Sequence, residues 1–347
     1  MKKIIIIVFV AFTVYSCKTT FKSTENNTAS KQSTNDKTAD FTLAFGSCNK
    51  PNQKNLLWDD VAAVNPDVWL WGGDIIYADT EDMAKMEADY NLQKKQKGYD
   101  ALLKQTKILG VWDDHDFGAN DAGVEYPKKE KSQELLLDFL GVDKNSARRN
   151  REGVYHSEVI KTAKGSVKIM LLDTRYFRTD ISKKSVNGDQ ENRTILGEKQ
   201  WAWLENELVN SNAQFNIILS SIQVIAEKHP YEKWANFPLE RKKMLDLIVS
   251  SKANNVILLS GDRHISEFSK EEVSGLAYPL IDFTSSGMTH ASKNFTKEYN
   301  PARIGKVVSS ISFGVLKINF DKNSVEMEMR GDDDTLQQKI EQVYPLK

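Results

Sequence analysis

The sequence predicts an α/β fold whose sheet is covered on both faces. Apolar runs of strand length alternate with helical patterns from Phe41 onward. Runs such as Val68–Gly72 and Val256–Ser260 are almost continuously apolar, which is typical of strands buried on both faces. The last two predicted strands follow one another without a helix between them, so we expect them to pair antiparallel.

Each predicted element rests on its periodicity and on the turn residues that bound it. The predicted strands are Phe41–Ser47, Val68–Gly72, Ile108–Trp112, Val167–Asp173, Phe215–Ser221, Val256–Ser260, Leu280–Ser285, Gly314–Phe320 and Val325–Arg330. The predicted helices are Asn55–Val64, Glu81–Thr106, Glu134–Leu140, Gly197–Ser211 and Leu239–Ala253. Because no internal repeat and no break in composition follows residue 40, one domain over residues 41–347 is the simplest organisation.

The charge balance of the chain argues against a polyanionic partner. The 347 residues include 47 basic and 48 acidic side chains, so the formal net charge is -1. A nearly neutral chain has no long-range field that would draw it to nucleic acid or to an anionic membrane face. We expect no nucleic-acid partner except as a possible substrate, and we expect a monomer.

The N-terminus has the pattern of an export signal. Two lysines precede an apolar run, residues 4–14, which has the length of a signal-peptide core and is too short to span a bilayer. The letters VYSC that end at Cys17 resemble a bacterial lipoprotein box, in which the cysteine becomes the lipid-modified first residue; an ordinary secretory signal with an incidental cysteine is the alternative. Residues 18–40 are polar and predict a flexible tether. The sequence therefore predicts a protein exported through residues 1–17 and lipid-anchored to a bacterial envelope, in the periplasm or at the cell surface.

Four motifs place reactive side chains directly after predicted strands. They are FGSC (45–48), GGDIIYAD (72–79), WDDHDFGAND (112–121) and SGDRH (260–264). Ligand sites of open α/β sheets lie at the carboxyl ends of strands, so these side chains should converge. Each motif also has a structural interpretation, because an Asp after Gly-Gly can cap a helix and a free Cys is often a small buried apolar residue. Their coincidence on one sheet edge favours a metal-dependent hydrolase.

The residue types in these motifs suit two kinds of cation. The three carboxylates of WDDHD would repel one another strongly without a counter-charge. A thiolate, a phenolate and an imidazole suit a borderline or trivalent transition metal, whereas Asp, Asn and backbone oxygens suit a hard cation such as Ca²⁺. The sequence offers both sets.

In their order, these motifs resemble the PhoD-type alkaline phosphatases and phosphodiesterases, a branch of the calcineurin-like metallophosphoesterases. The resemblance covers FGSC, GDIIY, WDDHD with the following ND, LLDTRYFR (171–178) and SGDRH, roughly residues 41 to 290. It implies a two-sheet sandwich flanked by helices and a catalytic domain over residues 41–347. It also implies a centre of Fe³⁺ beside Ca²⁺, although Zn²⁺ or Mn²⁺ could replace iron in such a ligand set.

The resemblance implies a role for each motif residue. Iron would be bound by Cys48, Asp74, Tyr77 and His264, and calcium by the bridging Asp74 with Asp114, Asn120 and Asp262. Arg175 would hold a phosphate oxygen, with Asn120 also near the substrate, and His115 would act as a general acid or stabilise the transition state.

The implied reaction is attack of a metal-bound hydroxide on a phosphomonoester or phosphodiester. A phospholipase-like or polymer-cleaving phosphodiesterase is the alternative enzyme, and a surface lipoprotein that binds calcium is the alternative outside enzymes. Trp234, Phe237 and Arg241 could line a substrate pocket or pack the start of a helix. His229 and His290 belong to no motif and are expected to be surface or structural residues.

Overall fold

The structure is a computed structural model that describes residues 39–181, 190–293, 295 and 298–346. The predicted leader, residues 1–17, and all but the last two residues of the predicted tether lie outside the described residues. Within the described part of the chain, no helix is long and apolar enough to cross a bilayer.

The described residues form thirteen strands in two sheets. The strands are β1 (Phe41–Gly46), β2 (Val68–Gly72), β3 (Lys107–Val111), β4 (His156–Lys161), β5 (Ser166–Leu171), β6 (Phe215–Leu219), β7 (Val256–Ser260), β8 (Ser266–Glu271), β9 (Leu280–Thr284), β10 (Arg303–Val308), β11 (Phe313–Asn319), β12 (Ser324–Arg330) and β13 (Leu336–Val343). The first sheet has the order β13-β12-β11-β1-β2-β3 and the second the order β10-β8-β9-β7-β6-β5-β4.

Each sheet has a parallel centre. Strands β1, β2 and β3 are parallel neighbours, and β5, β6, β7 and β9 form a second parallel run. The last two predicted strands, β11 and β12, pair antiparallel as expected. All nine predicted strands are present, with bounds that differ by no more than two residues at either end. The carboxyl ends of the parallel strands are therefore the loops that the sequence motifs occupy.

The two sheets pack face to face around one core. Phe45 of β1 and Phe283 of β9 make an edge-to-face contact with ring centroids 4.9 Å apart. In β6, Ile217 belongs to this shared core, whereas the next residue, Ile218, belongs to a second apolar cluster on the outer face. Successive strand residues point to opposite faces, so the continuous apolar runs follow from burial of both faces. The predicted sandwich is confirmed.

Helices cover the outer faces of the sheets. They are α1 (Trp58–Val64), α2 (Met83–Lys94), α3 (Tyr99–Leu102), α4 (Asp114–Phe117), α5 (Lys129–Phe139), α6 (Gly197–Val209) and α7 (Pro238–Ser251). Trp201 of α6 and Met244 of α7 belong to the outer cluster of the second sheet. On the first sheet, Trp58 of α1 packs on Trp71 of β2 with ring centroids 5.6 Å apart.

Two sequence-based expectations about the elements were wrong. The predicted helix Glu81–Thr106 is two helices, because Gly98 adopts φ +92 between α2 and α3. A Cβ at Gly98 would lie 2.6 Å from the Cβ of Trp58, so that turn needs glycine. Strands β4, β8, β10 and β13 were not predicted. Three of these strands lie at sheet edges, where half-exposed charged residues obscure the apolar pattern.

Candidate metal centre

The predicted ligands meet where parallel strands of both sheets end. Cys48 follows β1, Asp74 follows β2 and Asp114 follows β3 in the first sheet, and Asp262 follows β7 in the second. A Cβ at Gly261 would lie only 2.7 Å from the carbonyl oxygen of Gly72. Glycine before the aspartate in SGD therefore permits the close approach of the two loops.

Asp74 is the common member of three groups of mutually close ligand atoms. The groups are Cys48, Asp74 and His264; Asp74, Asp114 and His115; and Asp74, Asp113, Asp114 and Asp262. Within each group the candidate ligand atoms all lie within 4.8 Å of one another. A carboxylate shared by adjacent ligand sets is the arrangement required of a residue that bridges two metal ions.

Direct contacts join the residues that the resemblance assigns to iron. The Cys48 thiol lies 3.3 Å from Asp74 Oδ2, and the Tyr77 hydroxyl donates to the same oxygen over 3.1 Å. The Tyr77 hydroxyl also lies 2.9 Å from His264 Nε2. The other Asp74 oxygen, Oδ1, is buried and has no hydrogen-bond partner. A buried carboxylate oxygen without a donor is costly unless a cation neutralises it.

The electrostatics of this cluster indicate a missing positive charge. Burial, followed by the charges of Asp114 and Asp113, raises the pKa of Asp74 well above its ordinary value. Burial, followed by Asp74 and Asp262, raises the pKa of the Cys48 thiol in the same way. Burial and the charges of Asp113 and Asp114 also raise the pKa of Asp262. The residues present therefore fit one or more metal cations, which would reverse each of these shifts.

The three carboxylates of the WDDHD motif have different partners. Asp116 accepts hydrogen bonds from the backbone N–H groups of Asp113, Asp74 and Ile75 and so joins this loop to the loop that carries Asp74. Asp113 accepts from Arg175. Only Asp114 of the three lines the cavity beside the centre, which is the position the resemblance gives a calcium ligand.

Asp114 is held in its ionised form. Although burial raises its pKa, the charges of Arg175 and His115 and the backbone N–H of Asp121, 2.7 Å from Oδ2, lower the pKa of Asp114 overall. Asn120 precedes that N–H and is exposed at the same cavity. The structure thus brings Asn120 to the side of the centre where calcium binding was predicted.

His115 is oriented by two neighbours. Its ring stacks on Tyr77 with centroids 4.1 Å apart, and its Nδ1 lies 2.8 Å from Asp79 Oδ1. Burial lowers the pKa of His115, but the hydrogen bond to Asp79 and the charge of Asp114 outweigh it, and the pKa is raised overall. The carboxylate therefore favours the protonated form of the imidazole at the cavity wall, which suits a proton donor.

Arg175 lies behind the cavity wall and does not line it. The side chain is fully buried, and its Nε donates to Asp113 Oδ1 over 2.6 Å. Its Nη1 pairs with Glu232 over 2.5 Å, and Arg178 pairs with the same carboxylate over 3.0 Å. Nη2 lies 2.5 Å from Asp113 Oδ1 but makes no hydrogen bond of good geometry. Two carboxylates thus hold the guanidinium behind the wall, and the phosphate contact of Arg175 stays a prediction.

A cavity of about 460 Å³ opens beside the centre. Its wall combines the motif residues with a second set that carries no motif. The lining residues are Asp114, His115, Asn120, Asp121, Ile181, Pro230, Tyr231, Glu232, Asn236, Asp262, Arg263, His264, Ser292, Phe295 and Glu298.

Several residues near the centre were not found from the sequence. The His290 ring lies 4.6 Å from that of His264, and the Lys50 ammonium lies 4.6 Å from the centroid of the Tyr77 ring. A lone histidine carries no signal in a single sequence, whereas Lys50 stands two residues after the FGSC motif and could have been considered. Trp234 and Phe237 are buried in the outer apolar cluster, so of the two interpretations of that segment the packing one is correct for both.

The backbone is strained where the ligands are. Cys48, Asp74, Asp262 and His264 all have φ between 51 and 68. Residues other than glycine in this left-handed region cost on the order of 1 kcal/mol or more each, and such residues cluster at functional sites. The strand ends thus hold strained conformations that aim four side chains at one point.

Two solved phosphatase structures have a fold similar to that of this chain. A dimetal phosphatase from Danio rerio has a similar fold, with a TM-score of 0.55, 14% identity, and coverage of 88% of this chain and 100% of that one. The solved structure of PhoD is also similar, with a TM-score of 0.68, 18% identity, and coverage of 88% of this chain and 68% of that one.

The particular family follows from sequence comparison. The model of the PhoD-like phosphatase family matches residues 43–326, so the chain belongs to that family. Alkaline phosphatase D of Bacillus subtilis (strain 168) is 32% identical over 110 residues, which are 28% of this chain and 19% of that protein. The match therefore spans about a fifth of the length of this relative.

Proposed function

We propose that this protein hydrolyses phosphate esters at a two-metal centre, acting on monoesters, diesters or both. One observation carries the proposal: buried Asp74 belongs to three adjacent ligand groups and keeps one oxygen without a protein partner. Membership of the PhoD-like phosphatase family supports the reaction class.

The ligand chemistry divides into two sets. Cys48, Tyr77 and His264 supply a thiolate, a phenolate and an imidazole, which favour Fe³⁺, with Zn²⁺ or Mn²⁺ as alternatives. Asp114, Asn120 and Asp262 supply oxygen ligands, which favour Ca²⁺. When bound, the two ions would lower the pKa of a water molecule and neutralise charge on the phosphate.

The remaining polar residues would handle the substrate and the proton. His115, held by Asp79, would donate a proton to the leaving oxygen. Arg175 would contact a phosphate oxygen only through Nη2, since its other nitrogens are engaged by Asp113 and Glu232. Its carboxylate partners would orient that nitrogen.

The cellular setting is part of the same proposal. Export and lipidation at Cys17 would place the domain at the bacterial envelope, and residues 18–40 would act as the tether. These segments lie outside the described residues, so the sequence pattern alone supports this part.

The test is nitrophenol release from mono- and bis-(4-nitrophenyl) phosphate at alkaline pH, before and after chelation with EGTA and after Ca²⁺ is restored. Calcium-reversible hydrolysis by the wild type, lost in Asp74→Asn, is the expected result. Asp246→Asn, on the exposed face of α7, is the matched control and should retain activity. Full activity of Asp74→Asn would refute the two-metal centre, and the ratio of the two substrates identifies the preferred ester.

A further inference from the structure

We propose that the cavity beside the centre binds a planar aromatic ring of the substrate alcohol on a stacked pair, Tyr231 and Arg263, and that nucleoside phosphates are the substrate class this pair favours. The inference rests on the proposed function, because it names which phosphate esters the centre would receive. It depends on Tyr231, which belongs to no motif, and on Arg263, which lies within SGDRH but has no role assigned by the resemblance.

Tyr231 is an exposed aromatic residue on a firmly held loop. Its side chain is 59% exposed and lines the cavity, whereas its neighbours His229 and Glu232 are only 3% and 6% exposed. Glu232 is bound by both Arg175 and Arg178. The chain is held in place close to Tyr231 on both sides. The exposure of Tyr231 is therefore not explained by a mobile loop. A large aromatic side chain presented at a cavity is typical of ring recognition.

Arg263 supports the Tyr231 ring from one face. Its guanidinium carbon lies 4.5 Å from the ring centroid. Its Nη2 donates to both oxygens of Glu298, over 2.8 and 2.7 Å, and its Nε donates to Gln223. Because Glu298 neutralises the guanidinium, Arg263 is better suited to stacking than to holding a phosphate. A planar, uncharged group would complete the stack.

The backbone fixes the position of the stacked pair relative to the candidate metal centre. Arg263 stands between Asp262 and His264, which are both candidate metal ligands, so the backbone couples the platform to the centre. His115, the proposed proton donor to the leaving oxygen, lines the same cavity. The alcohol that leaves would therefore lie in the cavity with Tyr231.

The remaining lining suits one nucleoside and not a polymer. A cavity of about 460 Å³ lies within the range of small-molecule sites, roughly 300–1,000 Å³. Ile181, Pro230 and Phe295 give it apolar surface, and Asn236 and Ser292 offer polar groups for a sugar or a base edge. In the described lining Arg263 pairs with Glu298 and His115 pairs with Asp79, which leaves His264 as the one basic side chain without a carboxylate partner, so a polyanionic chain finds little to bind.

The experiment compares adenosine with ribose, and adenosine 5′-phosphate with ribose 5-phosphate. Each pair differs only in the base, and the two phosphates share the same leaving oxygen. Binding of adenosine and ribose to the full-length, metal-loaded protein is measured by calorimetry, and phosphate release is measured from the two esters. The variants are Tyr231→Leu and the control Tyr299→Leu, which removes another exposed tyrosine, 71% exposed, outside the cavity lining.

We expect adenosine to bind at least tenfold more tightly than ribose, and Tyr231→Leu to remove roughly a tenfold advantage, the size of one lost base stack. Tyr299→Leu should bind adenosine and release phosphate from both esters like the wild type, and Tyr231→Leu should lose more of its affinity for adenosine than of its affinity for ribose. Equal binding of the two ligands, or unchanged adenosine binding in Tyr231→Leu, would overturn the platform. Tyr231-dependent binding without hydrolysis of any ester would refute the proposed function while leaving the platform intact.

Discussion

Two groups of buried acids lie side by side in the described part of the chain, and only one of them is paired with arginine side chains. Asp113 and Glu232 are paired with Arg175 and Arg178 at distances of 2.5 to 3.0 Å. Asp74, equally buried, has other acids as its neighbours, and within the described residues no lysine or arginine pairs with it.

Charge pairing distinguishes a candidate metal site from a structural ion-pair network. Burial alone does not mark the site, since both groups are buried to the same degree. Uncompensated charge does mark the metal site, because burying an acid without a neighbouring cation is costly. A protein keeps such buried acids only where a bound ion supplies the positive charge. The same pairing explains why Arg175 lies behind the cavity wall, since its charge already serves the two carboxylates of the paired group.

The largest effect should come from Asp74→Asn. Activity should fall at least about a thousandfold, because the bridging carboxylate is lost. The metal-free variant should at the same time be roughly 1–3 kcal/mol more stable than metal-free wild type at neutral pH, because an uncompensated buried charge disappears. Activity assays and thermal unfolding in EDTA measure the two effects. A less stable metal-free variant would contradict the comparison.

Arg175→Met should destabilise the fold by roughly 3–5 kcal/mol, because it leaves Asp113 and Glu232 buried without their cation. Arg178→Met is the matched variant, since Arg178 pairs with Glu232 but not with Asp113. Both should lower the unfolding temperature. If Arg175 also contacts phosphate, then in the metal-loaded proteins Arg175→Met should raise the KM for a phosphate ester and Arg178→Met should not. An unchanged unfolding temperature for Arg175→Met would show that the buried acids paired with Arg175 do not need its charge.

Chelation should make stability depend on pH in a defined direction. The pKa of Asp74 and of Asp262 is raised in the fold by burial and by neighbouring acids, so the metal-free folded state binds more protons than the unfolded chain. Stability of the metal-free protein should therefore fall as pH rises above about 4, the ordinary pKa of an aspartate, and metal should abolish this dependence. The difference in unfolding free energy between the wild type and Asp74→Asn, both in EDTA between pH 5 and pH 8, gives the slope, because the opposing contribution of histidines such as His229 cancels. A slope of the opposite sign would contradict the assignment of excess negative charge.

The smallest expected effect is on stability and comes from His229. This buried histidine has basic neighbours, whereas Asp74 has acidic ones. Burial, followed by the charges of Arg263 and Lys233, lowers the pKa of His229 to about 2. Below its ordinary pKa of about 6.5 the unfolded chain takes up a proton that the folded chain refuses, so stability falls as pH drops. Between pH 7.5 and pH 5 the free energy of unfolding of the wild type should fall by roughly 2 kcal/mol more than that of His229→Leu. Parallel stability curves for the two proteins would show that His229 does not titrate in this way.

The sequence predicted the centre because its ligands stand in local motifs directly after apolar strands. Cys48, Asp74 and Asp262 could be placed together without knowing how the sheets pack, since strand ends meet at one edge. It could not predict which carboxylate of WDDHD faces the cavity, because that depends on the short helix α4 and on Arg175, 61 residues away from Asp114 in the chain. Tyr231 was missed for a similar reason: its loop has no periodicity, and only its burial pattern distinguishes it.

The position of the ligands at the seam of two sheets has a consequence for how the chain acquires activity. One sheet contributes residues up to Asp114, and the other contributes Asp262 and His264, far along the sequence. Closing such long loops is slow, so the complete ligand set exists only after both sheets have formed and docked. The rate at which refolding protein captures a metal ion would therefore time the last step of assembly, and nascent chains short of residue 264 would be inert towards phosphate esters.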